Sequence, residues 1–158
     1  MSNVLVAYFS ASGTTAEVAK RLAKTIHADI FEIRPRVAYT KEDLNWTDRA
    51  SRSSVEMRDP ACRPPLAKAV PNISGYQVIF VGFPVWWYRE PSIIDTFLEG
   101  ADFSTKTLIP FVTSGGSELG ASASNMQTLV PQAVVKEGRR FDKNVSEVTL
   151  FEWAQKYL

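Results

Sequence analysis

The stretch VLVAYFSASGTT, Val4 to Thr15, decides how the rest of the chain is read. Val4 to Phe9 is an unbroken apolar run, which is what a strand buried on both faces requires. It stops at Ser10-Ala-Ser-Gly-Thr-Thr15, and a helical period starts at once. Val18, Ala19, Leu22, Ala23 and Ile26 fall on one face, with Glu17, Lys20, Arg21 and Lys24 elsewhere. His27 follows the apolar stripe and lies at the negative end of that helix's dipole. A strand that must be covered on both sides, followed by an amphipathic helix, begins a parallel α/β arrangement.

The same alternation continues outward. Strands are expected at Ile30 to Ile33, Val78 to Phe83 and Thr107 to Val112, with Pro110 lacking a donor for the last ladder. A weaker fifth strand, Ala133 to Phe141, is interrupted by Gly138. Pro91 suits the first turn of a helix whose apolar face is Ile93, Ile94, Phe97 and Leu98, with Gly100 as its stop. A further helix is expected from about Glu118 to Leu129. Ser146 opens the last helix, with Val148, Phe151 and Ala154 expected against the sheet. The fold class is therefore α/β, three-layer αβα, with a five-stranded parallel sheet.

Pro35 to Pro71 departs from the pattern. It carries Arg36, Arg49, Arg52, Arg58 and Arg63 and is punctuated by Pro60, Pro64 and Pro65. A structureless loop of that length is uncommon inside a compact domain. A helix from about Lys41 to Met57, capped by Thr40 with Asp43 three residues on, makes it an elaborated second crossover. Residues 1–158 thus read as one domain, and those arginines as chiefly solvated surface.

Composition narrows the function. In 158 residues, Lys plus Arg is 18 and Asp plus Glu is 17, a net charge of +1 without the basic surplus of a nucleic-acid binder. One cysteine, Cys62, and one histidine, His27, leave no disulfide and no Cys- or His-rich metal cluster within the chain. The apolar runs are of strand length, short of the roughly 20 residues of a membrane span, and no basic region precedes the first of them. A cytoplasmic protein, monomer or homodimer, is the expectation.

Three segments carry chemistry, all at carboxyl ends of expected strands, where open α/β sheets bind ligands. Ser10, Ala11, Ser12, Gly13, Thr14 and Thr15 join the first strand to the first helix, with four hydroxyls in six residues. Free backbone N–H groups, the helix dipole and Gly13 suit a single terminal phosphate. Simple capping of the helix by Ser or Thr is the plainer reading. Pro84, Val85, Trp86, Trp87 and Tyr88 follow the third strand, and three successive aromatics cannot all enter the core. A planar ligand would use those left outside, although Trp86 and Trp87 covering a core edge is the alternative. Thr113, Ser114, Gly115 and Gly116, with Gly120 beyond, bring small residues and backbone donors to the end of the fourth strand. A plain strand-to-helix turn would have the same composition.

Together these segments resemble the flavodoxins, over the whole chain. Ser10 to Thr15 is similar to the loop that holds the ribityl phosphate of FMN. Pro84 to Tyr88 and Thr113 to Gly116 are similar to the loops around the isoalloxazine ring. The resemblance implies strand order 2-1-3-4-5, FMN as cofactor and electron transfer through the bound flavin. It leaves open an electron carrier that docks on a redox partner protein and an oxidoreductase in which NAD(P)H reduces FMN and a quinone or similar acceptor reoxidises it. Tyr88, Arg89 and the arginines of the insertion are positioned in sequence to shape such a substrate site. The near-neutral charge and the elaborated crossover depart from the strongly acidic carriers of the family.

Other classes fit less well. A cysteine phosphatase would need an arginine six residues after Cys62, where Lys68 stands. A phospho-acceptor receiver needs acidic residues by its first strand, and Val4 to Phe9 has none. A flavin-free interaction module on the same fold is the remaining alternative, against which the intact hydroxyl-rich loop argues.

Overall fold

Alternation along the first strand sets the layers. In the computed structural model, which describes residues 3–158, Leu5, Ala7 and Phe9 enter one apolar cluster while Val4, Val6 and Tyr8 enter the other. The strand β1 (Val4–Tyr8) is buried along its length, and α1 (Thr14–Ile26) follows it. Next come β2 (Asp29–Glu32), α2 (Arg52–Arg58), β3 (Val78–Pro84), α3 (Ser92–Glu99) and β4 (Thr107–Thr113). The chain ends with α4 (Ser122–Leu129), β5 (Val134–Val135), β6 (Arg139–Phe141) and α5 (Glu147–Gln155).

All pairings are parallel, in the order β2-β1-β3-β4, with β5 and β6 both on the outer edge of β4. This is the expected 2-1-3-4-5 order, the fifth strand being split as Gly138 indicated. Pro110 is tolerated because β5 pairs at Thr107 and Leu108 and β6 at Phe111 to Thr113, so the proline faces the gap between them. One face of the sheet packs on Ile93, Ile94, Phe97 and Leu98 of α3 and Met126 of α4. The other packs on the α1 stripe and on Leu150, Trp153 and Ala154 of α5. His27 closes α1 as a left-handed C-cap, with φ of 55°. Among the described residues no helix is long and apolar enough to cross a membrane.

Three expectations about helices are corrected. The helix expected over Lys41 to Met57 is α2 alone, preceded by turns. Its capping box does form, Thr40 N–H to Asp43 Oδ2 at 2.9 Å and Asp43 N–H to Thr40 Oγ1 at 3.1 Å. Helix growth then fails because side chains take the backbone donors: Asn45 Oδ1 accepts from Thr47 N–H, and Asp48 Oδ1 from Ala50 N–H. The helix restarts at Ser51, whose hydroxyl accepts from Ser54 N–H. α4 begins at Ser122, not near Glu118, because Gly120 is left-handed, with φ of 58°, and a right-handed helix cannot run through it. In α5, Val148 is 65% exposed and Phe151 38%, and the inward face is Leu150, Trp153 and Ala154.

The edge at which β3 and β4 end is tightly packed. A Cβ on Gly82 would lie 2.2 Å from Cζ of the fully buried Phe111. Gly82→Ala is therefore expected to lower stability by about 1–3 kcal/mol through overpacking. Urea unfolding checks this; an unchanged midpoint would mean that the Phe111 ring moves freely.

Candidate functional site

Parallel pairing brings Phe9, Pro84 and Thr113, the carboxyl ends of three neighbouring strands, to one edge of the sheet. The first loop ends at Gly13, the N-cap of α1, with φ of 98°. No side chain caps this helix, so the plainer reading of the hydroxyls does not hold: Gly13 N–H donates to Ser10 Oγ at 3.1 Å, outside the helix. The first N–H to bond back is that of Glu17, to Gly13 O. The N–H groups of Thr14, Thr15 and Ala16 have no partner among the described residues and point out of the helix start. A Cβ on Gly13 would stand in open space, with nothing within 4 Å. Thr15 is buried and its Oγ1 lies 2.7 Å from Thr113 Oγ1, which ties the first loop to the end of β4.

Ser12, Thr14 and Thr15 border a cavity of about 330 Å³ whose other walls are Pro84, Thr113, Ser114, Gly115, Asp142 and Lys143. Lys143 adds a cation that no motif announced. Its segment is fixed by Arg21 Nη1, which donates to Lys143 O at 3.2 Å and Val145 O at 2.7 Å. Ser10 and Ala11 line a separate hollow with Arg34, Arg36 and Tyr39, so of the loop's six residues Ser12, Thr14 and Thr15 face the cavity.

The second segment is a tight hairpin. Trp86 and Arg89 exchange backbone hydrogen bonds of 3.0 and 3.1 Å, and Trp87 and Tyr88 at the tip have φ of 48° and 63°. Left-handed conformation at both tip positions is usually left to Asn or Gly, and for bulky residues it costs of order 1–3 kcal/mol each. Neighbours hold the tip in place. Tyr88 O accepts from Ala121 N–H, and a Cβ on Gly120 would lie 2.0 Å from that oxygen, so Gly120 serves close packing. Trp86 packs edge-on against Phe9 at 5.6 Å and Tyr39 at 5.4 Å. Trp87 and Tyr88 are presented outward, 44% and 76% exposed. The aromatics thus divide between anchoring and display.

Val85, Trp86, Trp87 and Tyr88 line a cavity of about 490 Å³ with Ser117 from the third loop and with Leu44, Trp46 and Ser53 from the insertion. Gly115 and Gly116 are exposed, with open space where side chains would be. Those insertion residues went unrecognised because no local motif marks them; only tertiary packing brings them over the hairpin. Of the insertion's arginines, Arg36, Arg49 and Arg58 are exposed as expected, whereas Arg52 and Arg63 are half-buried and structural. Arg52 stacks 3.8 Å over the Tyr39 ring and donates to Glu56 at 3.0 Å, and Arg63 pairs with Glu99 of α3 at 2.6 Å. Cys62 lies in this segment, its thiol pushed above the ordinary value first by burial. That is the opposite of an activated nucleophile.

Behind the hairpin lies a buried acid pair. Glu90 is fully buried; Arg89 Nη1 stands 3.4 Å from its Oε2 and Asn125 Nδ2 donates to Oε1 at 3.3 Å. Arg89 Nη1 also reaches Asp95 Oδ2 at 3.3 Å, where Arg63 approaches to 3.8 Å. Asp95 Oδ1 has no hydrogen-bond partner among the described residues. Two guanidinium groups thus stand among three carboxylates, those of Glu90, Asp95 and Glu99. Burial, then the hydrogen bond with Asp95 and its charge, push Glu90 up from the ordinary 4.5 to about 8.

The family described as Flavodoxin matches residues 3–157. Two provisionally assigned flavoproteins of known structure are each 44% identical with a TM-score of 0.91. For that of Bacteroides uniformis the match covers 96% of this chain and 97% of the other, and for that of Bacteroides eggerthii 97% and 96%. A flavoprotein of Lactobacillus acidophilus, solved in complex with FMN, shares the fold at 19% identity and a TM-score of 0.72, over 96% of this chain and 97% of its own. No curated protein matches the chain.

The acid pair has a measurable consequence. Because the folded state holds the Glu90 proton more tightly than the unfolded chain, its contribution is fully present below about 4.5 and is lost as pH rises through about 8. Glu90→Gln keeps a donor toward Asp95 without the titration. Urea midpoints at pH 6 and pH 9 should fall more for the wild type than for Glu90→Gln; equal falls would mean that Glu90 is already ionised at pH 6.

Proposed function

The chain belongs to the flavodoxin family, and from that premise we propose that it binds FMN and transfers electrons through it. When bound, FMN supplies the one- and two-electron chemistry, and the protein supplies binding, orientation and exclusion of water. The observation that carries the reading is the presence of two unlike cavities lined by the same strand-end loops. One offers an anion the unpaired N–H groups of Thr14 and Thr15 beside Lys143, and the other offers a flat apolar body the hairpin aromatics. Residues close in the chain line the two: Pro84, Ser114 and Gly115 the first, Val85 and Ser117 the second.

The residues present fit such a ligand. Ser12, Gly13, Thr14 and Thr15 would hold the phosphate, with Ser10 and Ala11 shaping the loop behind it. The open space over Gly13 is the cradle that a larger residue would fill. Val85 to Tyr88 and the 113–117 loop would border the ring, with Gly120 keeping Tyr88 in position. Thr15 and Thr113 hold the two regions in register through their shared hydrogen bond.

A second reading, an NAD(P)H-dependent reductase of quinones or similar acceptors, is favoured by one specific feature. The insertion walls the ring cavity with Leu44 and Trp46, which suits a small planar acceptor better than open docking of a protein partner. The net charge of +1 likewise lacks the acidic field that would steer a carrier to a basic partner.

Titration of the apoprotein with FMN, followed by anaerobic mixing of the loaded protein with NADPH and with NADH, tests both readings. Quenching of flavin fluorescence on binding is expected, and its absence would overturn FMN binding. Bleaching of the flavin absorbance by a nicotinamide would establish the reductase. A flavin that ignores both nucleotides but accepts electrons from a protein or chemical donor would establish the carrier.

A further inference from the structure

Ser53 is a buried polar residue that the fold leaves unsatisfied. It lies in the first turn of α2, 2% exposed, and its Oγ has no hydrogen-bond partner. Its neighbours do not share this condition: the Ser51 hydroxyl bonds to the Ser54 hydroxyl at 2.9 Å. An unpaired buried hydroxyl costs stability and is uncommon without a reason. Ser53 lines the ring cavity, whose other walls are largely aromatic. Trp46, on the same wall, is 73% exposed, held in a turn closed by Asn45 and Thr47, and no core contact accounts for an indole there.

We infer that the insertion completes the ring site: the Ser53 hydroxyl hydrogen-bonds the polar edge of the isoalloxazine ring, and Trp46 covers its apolar body. The inference rests on the FMN reading above and extends it to a segment outside the three strand-end loops. An apolar cavity with few polar groups is the usual form of a small-molecule site, the polar groups fixing orientation. The isoalloxazine system matches that pattern, with a flat conjugated body and carbonyl and imide groups along one edge. Val85 and Ser117 of this cavity stand next to Pro84 and two residues after Gly115 of the phosphate-side cavity in the chain, which places both cavities on the same strand-end loops.

Isothermal titration of wild type, Ser53→Ala and Trp46→Ala with FMN and with riboflavin tests it. Each variant should bind both flavins about three- to ten-fold more weakly, by the same factor for each, since the lost contact is to the ring they share. The melting temperature of Ser53→Ala without flavin should be unchanged or higher, because removing an unpaired hydroxyl relieves the apoprotein. The flavin midpoint potential should shift in Ser53→Ala, which a merely structural serine would not cause. Wild-type affinities in both variants would overturn the inference. So would a variant that keeps flavin affinity and instead loses binding of a 1,4-naphthoquinone to the FMN-loaded protein, since Ser53 would then serve a second ligand. A wild type that binds neither flavin would instead defeat the FMN reading itself.

Discussion

Burial of β1 on both faces is the constraint on which the rest of the structure depends. A strand with Leu5 and Ala7 in one core and Val4 and Val6 in the other must have helices on both sides. Connecting such helices to neighbouring strands makes the sheet parallel, and a parallel sheet sends its loops to one edge. The first loop, the aromatic hairpin and the 113–117 loop therefore meet although they are distant in sequence. The 2.7 Å contact between Thr15 and Thr113 is the local expression of that convergence. Deep burial at the edge, Phe83 and Phe111 being fully covered, supplies a rigid base under loops that are themselves partly open.

Against that base the protein holds an unfavourable local conformation. Two large aromatics occupy left-handed positions at the hairpin tip, and the cost is offset by what packs around them. Ala121 and Gly120 grip the Tyr88 carbonyl, Phe9 and Tyr39 grip Trp86, and the buried Arg89–Glu90–Asp95 cluster fixes the returning strand. The outcome is an indole and a phenol displayed at the cavity rather than folded into the core. Strain of this kind persists where the surroundings over-determine it, and it gathers at binding sites.

How much of this could be read from the sequence depended on how local the signal was. β1, α1, β3 and α3 were legible because their burial pattern is continuous or strongly periodic. The sheet order came from the resemblance, not from periodicity. The long crossover helix was misread because Thr40 and Asp43 announce a helix that Asn45 and Asp48 then stop with their own side chains. The inward face of α5 was misassigned in a helix of only nine residues, where Val148 and Phe151 compete with Leu150 and Trp153 for one stripe. At the candidate site, the contiguous loops were visible as motifs. Lys143, Trp46 and Ser53 were not, since each arrives from another part of the chain and has no neighbour in sequence to mark it.

The central claim is that Gly13 and the unpaired N–H groups after it form the seat of the FMN phosphate. Comparing Gly13→Val with wild type for affinity toward FMN and toward riboflavin, which lacks the phosphate, tests this most directly. The account predicts that the variant loses its preference for FMN, with FMN affinity falling to that of riboflavin and riboflavin affinity nearly unchanged. Retained tight and selective binding of FMN by a stably folded Gly13→Val variant would contradict it.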